Sequence, residues 1–81
     1  MSMDETAAKL DKYKKRVKKG EAHKIKPQHV AHIREKLHRK RNQLNARMAD
    51  AADDNEREQV ANKLATVDHL IDRADWLSNQ I

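Results

Sequence analysis

The sequence contains no cysteine and no phenylalanine, and it has only one glycine, one proline, one tryptophan and one tyrosine. Without cysteine, neither a disulfide nor a thiolate metal site can form. Because Gly20 and Pro27 are the only strong turn signals and aromatic residues are scarce, strands are disfavoured. The chain is therefore predicted to be all-α, and any part that is not helical is expected to be disordered.

Long hydrophobic runs are also missing. No stretch approaches the roughly 18 consecutive apolar residues of a membrane span, and the first residues carry charge where a signal peptide would be apolar. We therefore expect a cytoplasmic protein. A chain of 81 residues is at most one small domain, and it buries only about 60% of its unfolded surface. Such a domain is expected to gain stability from a partner.

Charge is distributed unevenly along the chain. Residues 1–49 hold 15 basic and 5 acidic side chains, a balance of +10, whereas residues 50–81 hold 3 basic and 8 acidic side chains, a balance of −5. This asymmetry indicates either an electrostatic match within the chain or a basic arm that meets an anionic partner.

A first long helix is predicted over about 27–50. Pro27 fits the first helical position, and Ile25 with Val30 has the spacing of a hydrophobic staple. From there, large apolar residues recur at intervals of three, four or seven, which is typical of one buried helical face. These residues are Val30, Ile33, Leu37, Leu44 and Met48.

A second long helix is predicted over about 55–80. Asp53 and Glu56, or Asn55 and Glu58, have the spacing of a capping box at its start. The two helices are expected to form an antiparallel hairpin spanning 27–81. Because one shared seam cannot cover both apolar faces, we predict that hairpins pair into a helical-bundle dimer. The apolar residues of this helix are Val60, Leu64, Val67, Leu70, Ile71, Ala74, Leu77 and Ile81.

The N-terminal segment, residues 1–20, is joined to the hairpin by a linker over 21–26. Its apolar residues follow helical spacing, and Gly20 is a suitable helix stop. Its neighbouring lysines repel one another, and short isolated helices are marginal in water. The segment is therefore predicted to be either a short third helix or a disordered arm. The apolar positions are Met3, Ala7, Leu10, Tyr13 and Val17.

Cationic side chains are concentrated between Lys9 and Lys26, where only Asp11 and Glu21 oppose them. Charge at this density attracts phosphates through counterion release, although such a run can also be a solvated surface. Three cations of the next helix point away from its apolar face and extend the set. The predicted nucleic-acid-binding residues are Lys9, Lys12, Lys14, Lys15, Arg16, Lys18, Lys19, Lys24, Lys26, Lys36, Arg39 and Lys40.

Two arginines of the first long helix are predicted to be structural instead. By helical projection, Arg34 and Arg41 lie beside the apolar face that meets the second helix. Asp68, Asp72 and Asp75 line the facing flank at i, i+4 and i+7. We expect the two arginines to form ion pairs with these carboxylates, within the hairpin or across a dimer.

Histidine spacing raises the question of a metal. His29 and His32 lie three residues apart, and Glu35 with His38 repeats the Glu-x-x-His spacing of di-iron bundles. The second motif and the inward carboxylates of such a site are missing, and neighbouring cations oppose a metal ion. We predict surface histidines, no metal and no cofactor.

Trp76 is predicted to point outward, because it lies about 140° from the apolar face of its helix. An outward Trp is either a lone exposed group or the anchor of an interface. We therefore name Trp76, Arg73 and Leu77 as a candidate protein interface. The N-terminal segment is an alternative cover for Trp76, if it folds back as a third helix.

Catalysis is not expected. There is no cysteine nucleophile and no glycine-rich phosphate loop, and a helical hairpin has no deep pocket for a small-molecule substrate. The sequence predicts a small basic helical protein that binds nucleic acid non-specifically through phosphates, as an accessory or regulatory factor. The alternative is an adaptor or inhibitor that docks on another protein with an acidic surface. Attachment to an anionic membrane surface by the basic segment is a weaker possibility, since no bulky apolar face accompanies the charge.

Overall fold

The structure is a computed structural model, and it describes residues 3–81. It contains three α-helices, α1 (Met3–Lys18), α2 (Pro27–Asp50) and α3 (Asp54–Gln80), with a single 3₁₀ turn at Ala22–Lys24. The prediction of an all-α chain is confirmed, since residues 3–81 contain no strand. The N-terminal segment was predicted to be either helical or disordered, and its residues 3–18 form a helix. Residues 1–2 of that segment lie outside the described residues.

α1 ends in a Schellman motif. Gly20 has a φ of +73°, in the left-handed region that favours glycine. The Glu21 N–H donates to the carbonyl of Arg16 at 2.8 Å, and the Gly20 N–H donates to that of Val17 at 3.0 Å. These bonds satisfy the last carbonyls of α1 and turn the chain toward α2.

α2 begins at Pro27, as its sequence predicts. Proline suits the first helical position, because the backbone N–H of that position has no partner within the helix and its absence costs nothing. Ile25 and Val30 are both buried on either side of this start, as expected for a hydrophobic staple. α2 ends at Asp50, and the chain reverses over three residues before α3.

α3 begins with a capped turn. The Asp53 carboxylate accepts a hydrogen bond from the Glu56 N–H at 2.8 Å. The Glu56 carboxylate accepts in return from the N–H of Ala52 at 3.4 Å, one residue earlier than in a standard capping box. This turn sets the direction in which α3 returns along α2.

α2 and α3 run antiparallel and share most of the core. Arg34 contacts Asp75, and Arg41, further along α2, contacts Asp68, which comes earlier in α3. The order of the two ion pairs along each helix shows that α2 and α3 run in opposite directions, and the pairs specify one register between them.

α1 packs parallel to α3 and covers part of the α2–α3 seam. Near its start, Met3 lies beside Leu44 and Val67. Further along, Leu10 lies beside Leu77, so both helices advance in the same direction. Leu10 is the only large apolar side chain of α1 that is fully buried.

The core runs along the inside of this rod, which measures 48 × 19 × 17 Å. Because α1 supplies a third helix, the apolar faces of α2 and α3 are covered within one chain. Among residues 3–81, Trp76 and Ile81 are the only large hydrophobic side chains left exposed. The homodimer was predicted from uncovered apolar faces, and the structure gives that prediction no support.

No helix within residues 3–81 has both the length and the apolar character needed to cross a membrane.

Candidate functional site

The outer face of α1 carries a row of exposed lysines. Leu10 and Val17 face the core, so helical spacing places Lys12, Lys15 and Lys19 on the opposite side. The three lysines and Arg16 line a shallow groove of about 500 Å³. Asp11 and Glu21 also line this groove, so its positive charge is partly offset.

A second basic group lies on α2, beside the start of α1. Lys36, Arg39 and Lys40 line a groove of about 320 Å³, whose other wall includes Met3 and Thr6 of α1. No cation of α1 lines this groove, and no residue of α2 lines the groove on the outer face of α1, so the two basic groups form separate surfaces.

Some of the predicted phosphate-binding residues have partners within the chain. Lys24 lies 3.3 Å from Glu21, and the Arg39 guanidinium lies 2.6 Å from Glu35. Both pairs are exposed, so each contributes little to stability and can open to accept another anion. Arg16 lies over the Tyr13 ring at 5.7 Å from its centroid, and exposed Lys9 makes an interaction of its own.

Most of the predicted phosphate-binding residues remain available. Their ammonium groups are exposed, and in residues 3–81 no carboxylate lies within ion-pair distance of them. The eight available residues are Lys12, Lys14, Lys15, Lys18, Lys19, Lys26, Lys36 and Lys40.

The prediction that Arg34 and Arg41 form ion pairs with aspartates of the second long helix is confirmed. The Arg34 Nε donates to Asp75 at 2.8 Å, and the Arg41 Nε lies 3.2 Å from Asp68. Arg34 also donates to the Ser78 hydroxyl at 3.3 Å. These contacts give both guanidinium groups carboxylate partners on α3. The third candidate carboxylate, Asp72, is exposed and belongs to neither pair.

Trp76 lies in an open groove between α1 and α3. Its side chain is 41% exposed, which confirms the outward orientation predicted from helical projection. The groove has a volume of about 480 Å³, and α1 supplies part of its wall. It is lined by Leu10, Lys14, His69, Asp72, Arg73, Trp76 and Leu77.

The three residues predicted as a protein interface occupy different environments. Leu77 is only 1% exposed, because it packs in the core beneath the groove. The guanidinium of Arg73 forms an ion pair with Asp11 of α1. Trp76 is thus the most exposed member of the predicted set.

The Asp11–Arg73 pair was missed at the sequence level. Asp11 is the only acidic residue within the run from Lys9 to Lys19, and that isolation was the available signal. Without knowing that α1 packs on α3, the partner of Asp11 could not be chosen.

The histidines predicted to lie on the surface, His29 and His32, are both exposed. Across residues 3–81, no group of three or more histidine, aspartate or glutamate side chains is arranged to hold a metal ion.

Comparison of the chain with known proteins finds no matching family model, no matching curated protein and no matching solved structure.

Proposed function

We propose that this protein binds nucleic acid non-specifically, through contacts to phosphates, and acts as an accessory or regulatory factor. The observation that supports the proposal is the set of eight exposed ammonium groups without a carboxylate partner in residues 3–81, four of them on α1 and a fifth directly after it. Phosphates satisfy such groups without special geometry, because binding releases condensed counterions.

The arrangement of charge also favours this function over general solubility. Asp68 and Asp75 form ion pairs with the arginines that face α3, whereas in residues 3–81 no carboxylate lies within ion-pair distance of Lys12, Lys14, Lys15 and Lys18 on α1. The lysines without a carboxylate partner thus lie on α1, on the segment that joins it to α2, and on α2. A partner with regularly spaced negative charges matches such a surface better than isolated anions do.

The proposal is tested by measuring the affinity for an RNA and for a DNA duplex at several salt concentrations. We expect retention at low salt that is lost at a few hundred millimolar salt. A protein that shows no binding at low salt does not have this function.

Variants with matched charge locate the surface. Lys15→Gln with Lys19→Gln removes two charges from the outer face of α1, and Arg57→Gln with Lys63→Gln removes two from α3. On a duplex, the first pair should lower the slope of log affinity against log salt by about 1.8, at about 0.9 per phosphate contact. The second pair should change this slope much less, and equal changes would argue against α1 as the binding surface.

A second candidate function is a protein-interaction module, either an adaptor or an inhibitor. The observation that favours it is the exposed Trp76 in an open groove, since tryptophan is enriched in binding hot spots. Under this alternative, Trp76→Ala weakens capture of a partner protein and leaves nucleic-acid retention unchanged. The cytoplasmic location and the homodimer both stay predictions. A sedimentation measurement of the purified chain tests the dimer.

A further inference from the structure

We propose that the Trp76 groove holds one unpaired base of a single-stranded nucleic acid, while neighbouring phosphates lie along α1 on Lys14 and Lys18. This inference rests on the proposed function and adds to it a preference for single strands. Its basis is that the exposed tryptophan and an available lysine line the same groove.

The shape and lining of the groove suit a base. Its volume of about 480 Å³ lies within the range of about 300–1,000 Å³ typical of small-ligand sites. The floor is apolar, because Leu10 and Leu77 lie beneath it and are each 1% exposed. The Trp76 side chain, 41% exposed, supplies an aromatic surface on which a base can stack.

The charges around the groove determine where the phosphates lie. Lys14 stands on the α1 side, and Lys18 follows it one helical turn later, about 6 Å along the axis. Asp72 stands on the α3 side, where its exposed carboxylate repels phosphate. The nucleic-acid backbone is therefore directed along α1, with the base turned toward α3.

The Asp11–Arg73 ion pair holds this groove together. It joins α1 to α3 beside the floor, and it neutralises the Arg73 guanidinium, which is only 26% exposed. Arg73 is thus a structural contact, and Lys14 is the available cation of the groove. One tryptophan accommodates one base, so sequence-specific recognition is not implied.

Stacking requires a base whose face is free. A base within an intact duplex is covered on both faces by its neighbours, so it can enter the groove only after unstacking, which costs a few kcal/mol. The phosphate surface on α1 binds both duplexes and single strands. Only single strands gain the additional contact with Trp76.

The test uses the intrinsic fluorescence of Trp76, the only tryptophan in the chain. Oligo-adenylate RNA, oligo-deoxyadenylate and a DNA duplex are each titrated into the full-length protein at low salt. We expect both single strands to quench the fluorescence in proportion to binding and the duplex to bind with little quenching. Equal quenching by the single strands and the duplex would overturn the inference.

Two substitutions distinguish stacking from apolar contact, with affinity measured by the anisotropy of labelled oligonucleotides. Trp76→Leu keeps apolar volume and should weaken single-strand binding roughly 5- to 150-fold, the range expected for losing one stacked base. Trp76→Phe keeps an aromatic face and should retain most of the affinity. Neither variant should alter duplex affinity or the salt slope, because Trp76 carries no charge.

The outcomes separate this inference from the function on which it rests. One outcome is that single strands and duplexes both bind with steep salt dependence while Trp76 fluorescence stays constant and Trp76→Leu keeps its single-strand affinity. In that case only the assignment of the groove to a base fails. If nothing binds at low salt, both proposals fail. If Trp76→Leu weakens protein capture but not single-strand binding, the groove is a protein site and the inference is overturned.

Discussion

The Nε of Arg34 on α2 donates a hydrogen bond to the Asp75 carboxylate on α3 at 2.8 Å. The Arg41–Asp68 contact lies about two helical turns further along α2 on the same face, and the two contacts together align the long helices at one register. Both partners of the Arg34 pair are about 40% exposed, so solvent screens the attraction. The pair therefore contributes more to alignment than to stability.

A double-mutant cycle measures this contribution. Arg34→Ala, Asp75→Ala and the double variant should give a coupling energy of about 0.2–1 kcal/mol in urea unfolding, and the value should fall as salt is added. The same cycle on Arg39 and Glu35, which are more exposed, is the control and should give a smaller value. A coupling of several kcal/mol would mean that the pair is far better shielded than its exposure indicates.

Leu10→Ala should detach α1 from the rest of the rod. Leu10 is the main buried anchor of this helix, and truncating a buried leucine typically costs about 2–5 kcal/mol. Hydrogen exchange should show faster exchange of α1 amides, with α2 and α3 much less affected. Lys12→Ala on the exposed face of the same helix is the control, and it should leave the pattern unchanged.

Gly20→Ala should destabilise the end of α1. The added Cβ meets open space, so the cost comes from the backbone alone: φ is +73°, and this region costs an L-residue about 1–2 kcal/mol. Gly20→Asn should cost less, because asparagine tolerates left-handed backbone better. Urea unfolding of the three proteins gives the order, and equal stabilities of the alanine and glycine proteins would contradict the prediction.

Asp53→Ala should weaken the start of α3 by about 1 kcal/mol, since it removes the acceptor for the Glu56 N–H. Asp53→Asn keeps an acceptor and should recover most of the loss. Asp54→Ala is the control, because the Asp54 side chain is fully exposed and its contact with Arg57 is long, at 3.5 Å. Thermal unfolding monitored by circular dichroism measures all three variants, and equal losses for Asp53→Ala and Asp54→Ala would contradict the cap.

Local signals were sufficient to locate the long helices. The signals are Pro27, the Ile25–Val30 spacing and Asp53. Each of them acts only on residues a few positions away, so the neighbouring sequence is enough to recognise it. The pairing of Arg34 and Arg41 with aspartates of α3 was also predictable, because helical periodicity specifies which face each side chain occupies.

The state of α1 could not be predicted in the same way. The apolar residues of α1 follow helical spacing, but only Leu10 is both large and deeply buried. The sequence of this segment therefore predicted neither a helix nor a disordered arm over the other, because short isolated helices are marginal in water. Packing against α3 stabilises the helical form of α1, since it buries Leu10 and gives Asp11 a cationic partner. These contacts join residues that are far apart in the sequence.

The sequence by itself determined the all-helical class, the start of α2 at Pro27, and the separation of basic and acidic halves, because each depends on composition or on neighbouring residues. It also predicted the start of α3 to within a residue, although it left two capping boxes open. Only the tertiary structure decided that α1 covers part of the seam between α2 and α3. It also decided which lysines have no carboxylate partner within residues 3–81, and it placed Trp76 in the same groove as Lys14. Those outcomes depend on which helix faces approach one another in space. That approach is set by the burial of apolar side chains across the whole chain.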